Sequence, residues 1–362
     1  MKYTFKEIAF NSTEKRIPVE EDRFTYIGLE HLDSRKLSIT RFGSDVPLKG
    51  EKLVMRKGDI LFGKRNTYLK RVAIAPFDGL FSAHGMVLRP NEKVISREFF
   101  PFFLSSDYFL DEAIRISVGS LSPTVNWKDL KDLEFEIPDF SKQREIANLL
   151  SAANNLKESY EAMIAATDEM VKSQFVEMFG NIPQDKKLAE ISEIYDGVHQ
   201  TPHYTDFGIK FISVEDISDI YGSKKYISIE DYNKYKHVPE LGDLIMTRIG
   251  TIGLCAVVSK SEPLAYYVSV TLIKPNHNII DSTYLKYYIE SGYGQNELRM
   301  RSLLEAFPMK INLNEIGKVA VKVPSMESQH AFVQIVQRAD KSKFELKQAI
   351  EKIDKVMRAL MQ

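Results

Sequence analysis

Two residue spacings in the chain match those of catalytic or metal-binding sites, but their surroundings weaken both. Residues 129–131 read Asp-Leu-Lys, the Asp-x-Lys spelling of a metal-dependent nuclease, within a Lys-Asp-rich run typical of an exposed turn or helix face. His199 and His203 are four residues apart, the spacing that aims two metal ligands from one helix face. Gly197 and Pro202 break any such helix, and no third ligand is near in sequence. We therefore expect neither a nuclease centre nor a bound metal.

Sequence motifs of phosphate binding and group transfer are missing from the chain. No Gly-rich loop ends in Gly-Lys-Ser/Thr, no Gly-x-Ser-x-Gly occurs, and the Asn/Asp-Pro-Pro-Tyr/Phe motif of amino-group methyltransferases is absent. We therefore expect a chain that is not an enzyme and binds no cofactor. A nuclease or methyltransferase with an unrecognised site is the alternative from another class.

Polar loops that could read DNA occur at matching places in the two halves of the chain. The loops 63–71 and 247–253 each follow a Gly-Asp strand signal, and Lys64 and Arg248 are equivalent, 184 positions apart. Arg or Lys can hold guanine O6 and N7, and Asn or Gln can pair with adenine. Any one such loop fits ordinary solvation, but their repetition favours DNA binding. The predicted DNA-binding residues are Lys64, Arg65, Asn66, Lys70, Arg71, Ser120, Lys128, His199, Gln200, Thr201, Lys210, Lys224, Lys225, Arg248, Thr251 and Lys310.

These loops belong to a long, degenerate internal repeat. Residues 26–32 return as 211–217, and the Gly-Asp segment at 58–61 returns at 242–245. The most similar pair of segments begins at Pro138 in the first repeat and at Pro324 in the second, with a constant offset of 186. Self-similarity at a fixed period indicates a repeated structural unit. A chain built in this way presents two similar surfaces.

The composition is that of a globular protein with two domains of ordinary size. The 362 residues are 44% hydrophobic and 27% charged, with one cysteine, Cys255. The net charge of −1 argues against nonspecific coating of nucleic acid but permits a reader with one basic face. The first residues form no apolar run, and no stretch approaches the roughly 20 apolar residues of a membrane span. We expect a cytoplasmic protein that makes no membrane contact.

In each repeat the globule is followed by a long segment in which apolar residues recur at alternating steps of four and three. This is the a/d pattern of a coiled coil, and both stretches carry it in the same register. Gly180 and Pro183 predict the end of the first helix. The predicted pairing residues are Leu149, Ala153, Leu156, Tyr160, Met163, Thr167 and Met170 in the first helix, and Ile335, Ala339, Ser342, Leu346, Ala349, Ile353, Val356 and Leu360 in the second. We expect antiparallel pairing; the alternative is that each helix packs on its own globule.

These observations predict an α+β fold with a pseudo-two-fold internal repeat, in which two long helices form an antiparallel coiled coil between two α/β globules. We place the first globule at residues 1–140 and the central helix at 141–181. The second globule follows at 182–325, and the C-terminal helix at 326–362.

With this organisation, the chain resembles the specificity (S) subunits of type I restriction–modification systems over essentially its whole length. The resemblance depends on the repeat and on a set of short motifs in fixed order. Those motifs are Leu-Ala-Glu-Ile at 188–191 leading to Gly197-x-x-x-Thr201-Pro202, Phe-Ile-Ser-Val-Glu-Asp-Ile at 211–217, Gly-Asp at 58 and 242, and Pro138 with Gln143-x-x-Ile146. The first globule matches less well, since residues 11–13 only faintly resemble the Gly-x-Thr-Pro loop of the second.

The resemblance implies two target recognition domains, each of which reads one half of an asymmetric, bipartite site in double-stranded DNA. It implies that the long helices set the spacer and dock two methyltransferase subunits, and that motor–nuclease subunits join for restriction. S-adenosylmethionine, ATP and Mg are then expected on the partner subunits. A related type II system, or an adaptor that binds peptides, would also suit the duplicated globules.

Overall fold

The computed structural model describes residues 1–200, 202–303 and 305–361, and these form two compact units. Unit 1 comprises Met1–Glu161 and Leu346–Gln362, and unit 2 comprises Ala162–Glu345. Each unit therefore contains a part of both long helices. Among the described residues, no helix is both long and apolar enough to cross a membrane.

Unit 1 is built on two four-stranded sheets. One has the strand order β2-β9-β6-β7 and the other β3-β5-β8-β4, while β1 pairs separately with β10. The strands are β1 Lys2–Thr4, β2 Ala9–Ser12, β3 Lys15–Arg16, β4 Tyr26–Ile27, β5 Lys52–Met55, β6 Ile60–Phe62, β7 Val72–Ile74, β8 Gly79–Phe81, β9 Met86–Pro90 and β10 Glu134–Glu136. The helices are α1 Phe5–Ile8, α2 Phe100–Ser105, α3 Asp107–Arg115, α4 Trp127–Leu130 and the start of α5 Phe140–Phe179.

The larger of the two apolar clusters of unit 1 lies between its first sheet and the helices that cross it. Phe5, Phe62, Phe109 and Phe135 are fully buried there, and the Phe5 and Phe109 ring centroids are 5.1 Å apart. Strands β6 and β7 pair antiparallel, and the aromatic segment after Phe99 forms α2 and α3.

Unit 2 repeats the first sheet and the separate strand pair of unit 1, whereas its second sheet adds strands on the opposite side of a parallel pair that both units share. Its sheets have the orders β12-β19-β16-β17 and β13-β15-β14-β18, and β11 pairs with β20. The strands are β11 Lys186–Lys187, β12 Ser192–Asp196, β13 Tyr204–Thr205, β14 Ile209–Ile212, β15 Tyr226–Ile227, β16 Leu244–Thr247, β17 Cys255–Val257, β18 Leu264–Tyr266, β19 Val270–Pro275 and β20 Ala320–Val321. The helices are α6 Leu188–Ile191, α7 Ile229–Tyr232, α8 Ser282–Glu290, α9 Gly292–Arg301, α10 Leu313–Ile316 and α11 Met326–Leu360.

The repeat extends to the register of the strand pairs. Ser12 lies opposite Val87 in unit 1, and Asp196 lies opposite Thr271 in unit 2, so that both partners are displaced by 184 positions. Strands β4 and β8 pair in parallel, as do β14 and β18. The predicted mixed α/β globules and internal repeat are confirmed.

A buried glutamine joins each long helix to its own globule. The side-chain amide of Gln143 donates through Nε2 to the carbonyl oxygens of Val94 and Pro138 at 3.0 and 2.9 Å. Its Oε1 accepts from the backbone N–H of Ser96 at 2.6 Å. Gln329 makes the equivalent bonds in unit 2, to the carbonyls of residues 279 and 324 and from the N–H of residue 281. A buried amide needs hydrogen-bond partners within the protein, because it has none in water. Each glutamine finds three such partners, which explains why the glutamine recurs in both repeats.

The two long helices run antiparallel within each unit. In unit 1, Lys157 of α5 forms an ion pair with Asp354 of α11 at 2.7 Å, and Ile146 shares a pocket lining with Leu360. Residues later in α5 thus contact residues earlier in α11. This order confirms antiparallel pairing in unit 1.

The same direction holds in unit 2. Lys343 of α11 forms an ion pair with Asp168 of α5 at 2.7 Å, and the ring centroids of Phe175 and Phe332 are 5.3 Å apart. The helices also contact their own globules, because Ala147 and Leu150 belong to the unit 1 core and Phe175 and Phe332 to the unit 2 core. Pairing and packing on a globule therefore occur together.

The pairing face of α5 lies one position further along the helix than the apolar pattern predicts. Leu149, Leu156 and Met163 were assigned to this face, but their side chains are 49%, 44% and 52% exposed. Their successors include Leu150, which is fully buried, and Lys157, which is paired across the helices. The structure therefore corrects the predicted seam of α5.

Most of the predicted positions of α11 are at least half-buried. Ala339 is buried and Leu346 and Ile353 are half-buried, as a pairing role requires, whereas Val356 is 56% exposed. Ile335 is half-buried, and so are Ala153 and Tyr160 of α5, beside the true pairing face.

Candidate nucleic-acid interface

In unit 1, the loop that follows β6 is held against the loop that follows α3. The N–H of Val125 donates to the carbonyl of Lys64 at 3.0 Å, and the N–H of Asn66 donates to the carbonyl of Pro123 at 2.7 Å. Arg65 forms an isolated β-bridge with Thr124. We call this pairing of residues 63–71 with 117–125 the unit 1 clasp. It brings the predicted loop 63–71 together with the loop that contains the predicted residue Ser120.

Unit 2 has the same arrangement. The N–H of Ile311 donates to the carbonyl of Arg248 at 3.0 Å, the N–H of Gly250 donates to that of Met309 at 2.8 Å, and Ile249 forms a β-bridge with Lys310. We call this pairing of residues 247–253 with residues 303 and 305–311 the unit 2 clasp. Both clasps lie beyond the end of the equivalent strands β6 and β16, so the first sheet of each unit positions its own clasp.

The cation at the start of the clasp has a different environment in each unit. The guanidinium of Arg248 is nearly buried, forms an ion pair with Asp196 and donates through Nε to the carbonyl of Ile311 at 3.3 Å. Strand register places Ser12 at the position in unit 1 that Asp196 occupies in unit 2. Lys64 accordingly has no carboxylate partner among the described residues.

The unpaired ammonium of Lys64 is costly to keep charged. Its partial burial lowers the pKa of Lys64, and the nearby positive charge of Lys15 lowers it further. A group of this kind gains from an incoming anion or acceptor, because such a contact restores the favourable interactions that burial removed. In unit 2, by contrast, Asp196 already compensates the cation and fixes its orientation.

The remaining cations of the unit 1 loop are engaged to different degrees. Lys70 forms ion pairs with Asp107 and Asp111, both at 2.6 Å, so it ties the loop to α3. Arg71 donates to the carbonyls of Leu29 and Arg65 at 2.9 and 3.0 Å, and burial lowers its pKa. The structure thus gives Lys70 and Arg71 supporting contacts within the protein.

Other predicted residues of unit 1 are open to solvent. Arg65 is exposed and donates to the Oγ of Ser122 at 3.4 Å. Ser120 lies at the outer part of the clasp, and Lys128 is exposed on α4. Asn66 has a left-handed backbone with φ of 54°, and its Oδ1 is buried without a hydrogen-bond donor among the described residues.

In unit 2, Thr251 and Lys310 are exposed on the clasp itself. His199 and Gln200 are exposed in the loop after β12, and His199 Nε2 lies 3.0 Å from Asp196 Oδ2. Asp196 therefore joins this loop to Arg248. Thr201, also predicted to bind DNA, lies outside the described residues.

Three predicted lysines belong to the second sheet of unit 2 and its loops. Lys210 contacts the carbonyl of Tyr221 and lies 3.8 Å from Glu262, whereas Lys225 pairs with Glu215 at 2.6 Å. Lys224 is exposed. The structure does not bring these lysines into the clasp contacts.

Sequence reasoning missed the role of Asp196. A signal was available, because applying the repeat offset to position 196 shows a serine at position 12 and hence a difference between the two units. Within the described residues, no cluster of three or more His, Cys, Asp or Glu side chains could hold a metal ion.

The structure therefore defines an internally duplicated protein in which each unit carries one basic clasp and antiparallel segments of the same two helices. The family model of the type I restriction modification DNA specificity domain matches the chain twice, at residues 24–165 and 184–355. The chain belongs to this family, and the resemblance inferred from its sequence is confirmed.

Known proteins agree with this assignment. The chain is 21% identical over 370 residues to the type I restriction enzyme MjaVIII specificity subunit of Methanocaldococcus jannaschii, covering 94% of this chain and 85% of the relative. It is 24% identical over 196 residues to the putative MjaX specificity subunit of the same organism, but the match spans only 46% of that relative and 50% of this chain. The crystal structure of the type I S subunit from M. genitalium has the same fold, with a TM-score of 0.58 at 14% identity, over 100% of this chain and 96% of that one.

Proposed function

We propose that the chain selects the DNA sequence on which a type I restriction–modification enzyme acts, and that each unit reads one half of a bipartite site in double-stranded DNA. The observation that carries this proposal is the clasp, which recurs with the same backbone hydrogen bonds and with a cation at the same position in both units. Side chains on a rigid loop pair can meet base edges with defined geometry.

The two clasps are proposed to read different bases. Lys64 offers an unpaired ammonium, which acts as a point charge toward guanine or phosphate. Arg248 is held by Asp196, so its planar guanidinium has a fixed direction. Because the cation and its neighbours differ between the units, the two half-sites are expected to differ, as an asymmetric site requires.

We propose that the chain supplies recognition without catalysis, and that the methyltransferase and motor–nuclease subunits of the system carry S-adenosylmethionine, ATP and Mg. The half-exposed Leu149 and Leu156 in unit 1, and Met163 and Met170 in unit 2, support docking of two methyltransferase subunits. Seven-residue spacing puts them on one stripe of α5, which a partner helix can cover. A cytoplasmic location accompanies this proposal.

The long helices are proposed to fix the spacer between the half-sites. Each helix contributes residues to both units, and α5 continues without a break from Phe140 to Phe179. A helix rises about 1.5 Å per residue, so a change of helix length changes the distance that the DNA spacer must match.

The proposal is tested by mapping methylated adenines in a host that carries the system, with and without this chain. The expected result is a two-part motif with a fixed gap that disappears when the chain is deleted. Unchanged methylation, or a loss confined to a continuous motif, would contradict bipartite reading.

The comparisons do not favour a catalytic chain or a related type II subunit. Methyl transfer or cleavage by the purified chain alone would reverse that choice.

A further inference from the structure

Each clasp carries a large apolar side chain that is almost fully exposed. Leu121 is 95% exposed in unit 1, and Phe307 is 104% exposed in unit 2. Most proteins bury such side chains, and full exposure at a loop apex loses their hydrophobic stabilisation. The two positions are 186 apart, which is the offset of the repeat.

Both side chains stand on small closed loops. Val118 and Thr124 exchange backbone hydrogen bonds of 3.0 and 2.9 Å, which close the loop around Leu121. The N–H of Leu303 donates to the carbonyl of Lys310 at 2.8 Å, which closes the loop around Phe307. Since each loop is further bonded to the strand-end loop of its clasp, the apex is held by backbone contacts on both sides.

The surroundings favour nucleic acid over an apolar protein surface. Residues 117–126 contain no charged side chain, and Arg65 contacts this loop through Ser122. In the loop of Phe307, Lys310 is exposed, and the exposed Arg299 lines a pocket together with Met309 of the same loop. Neither cation makes an ion pair among the described residues, while Glu305 is the acidic residue of the loop. An apolar tip flanked by free cations suits a duplex, whose phosphates bind the cations and whose stacked bases receive the tip.

We propose that Leu121 and Phe307 are wedges, each of which inserts between two adjacent base pairs of its own half-site. Apolar side chains used in this way unstack one base step and bend the duplex, and the bend allows more contact with the protein. The two residues differ in shape but share apolar character and position, as this role demands. The inference depends on the proposed function, because it assumes that the clasps contact DNA.

The test uses the complete complex of this chain with its methyltransferase subunits and a duplex that carries the mapped bipartite site. 2-Aminopurine is placed at successive positions across each half-site, and its fluorescence is measured on binding. The wild-type complex should give a severalfold rise at one step in each half-site. Phe307→Ala should abolish the rise in the second half-site alone and lower affinity by about tenfold, in line with the loss of one stacked aromatic side chain. Leu121→Ala should act on the first half-site alone.

Leu241→Ala is the matched control, because Leu241 is 63% exposed in unit 2 but precedes β16, at the opposite end of that strand from the clasp. A target base flipped by a methyltransferase subunit gives a signal that survives in every variant, so it is separable from the wedge signal. In a further measurement, Trp emission of Phe307→Trp, corrected for the native Trp127, should be quenched by DNA.

The outcomes separate the inference from the function on which it depends. Failure of the wild-type complex to prefer the mapped site would overturn the proposed function. Specific binding with the same 2-aminopurine profile in Phe307→Ala and wild type would overturn the wedge alone. Loss of methyltransferase subunits from the Phe307→Ala complex, with an unchanged profile in the complexes that remain, would assign the side chain to a protein contact.

Discussion

Replacement of Gln143 by Leu should destabilise unit 1 by about 3 kcal/mol, taking the low end of about 1–3 kcal/mol for each of three partly buried groups left without a partner. Those groups are the N–H of Ser96 and the carbonyls of Val94 and Pro138. Gln143 is fully buried, so water cannot take the place of its amide in the variant. Leu has a similar size to Gln, so cavity formation contributes little to the loss of stability.

Urea unfolding followed by tryptophan fluorescence measures this effect. Trp127 is the sole tryptophan of the chain and packs against Phe5 in the unit 1 core, with 5.6 Å between ring centroids. With a urea dependence of about 2–3 kcal/mol per M, the midpoint should fall by about 1–1.5 M. Gln348→Leu is the control, since Gln348 is exposed on α11 and its replacement should change stability by less than about 0.5 kcal/mol. If Gln143→Leu shifts the midpoint no more than Gln348→Leu, the amide bonds do not join helix and globule as argued.

Lys64→Met should raise the stability of unit 1 and should reduce the slope of log affinity for DNA against log salt concentration by about one. The gain in stability should be largest below the lowered pKa of Lys64 and should vanish above the ordinary lysine pKa, which urea titrations at several pH values can measure. Arg248→Met should instead lower the stability of unit 2 by about 1–2 kcal/mol, because it leaves the carboxylate of Asp196 without its cation, and equal signs for the two variants would contradict the assigned environments. Leu156→Glu should reduce co-purification of methyltransferase subunits at unchanged helical circular dichroism, whereas Asn155→Glu, an exposed position on another face of the same turn, should not. Deletion of one heptad from each long helix should shorten the preferred spacer by roughly three base pairs, since seven residues rise about 10 Å, and an unchanged methylation motif in the folded variant would refute the role of the helices in spacing.

The duplicated architecture could be predicted because repetition is visible in the sequence itself. The Gly-Asp strand signals and the antiparallel direction of the helices were both expected from the sequence, and the structure confirms them. The division into four segments at 140, 181 and 325 stays a prediction, and so do the DNA contacts.

The pairing face of α5 could not be placed from apolar periodicity, because two adjacent stripes of that helix are suitable. The true face includes Lys157 and Asp168, whose charges are neutralised only by residues more than 170 positions away. Hydrophobicity counts such positions as solvent-facing and therefore selects the neighbouring stripe through Leu149 and Leu156. Only the three-dimensional partner shows that a charged side chain can belong to a helix interface.

The environment of Arg248 escaped prediction for the same reason. From the sequence, a basic residue after a strand is expected to be available to contact DNA. In the structure Arg248 forms an ion pair with Asp196, which lies 52 positions earlier in the chain. Lys64 occupies the equivalent position without such a partner, so residue type alone does not distinguish a compensated cation from an available one.

The two interhelical ion pairs are the same pair used twice. Lys157 and Lys343 are 186 positions apart, and so are Asp168 and Asp354, so each helix supplies one lysine and one aspartate to complementary places on the other. Such reciprocity makes each helix complementary to a second copy of itself. A gene fragment that encodes one globule and one helix would thus possess both halves of the contact, and two identical products could rebuild in trans what the duplicated chain builds in cis.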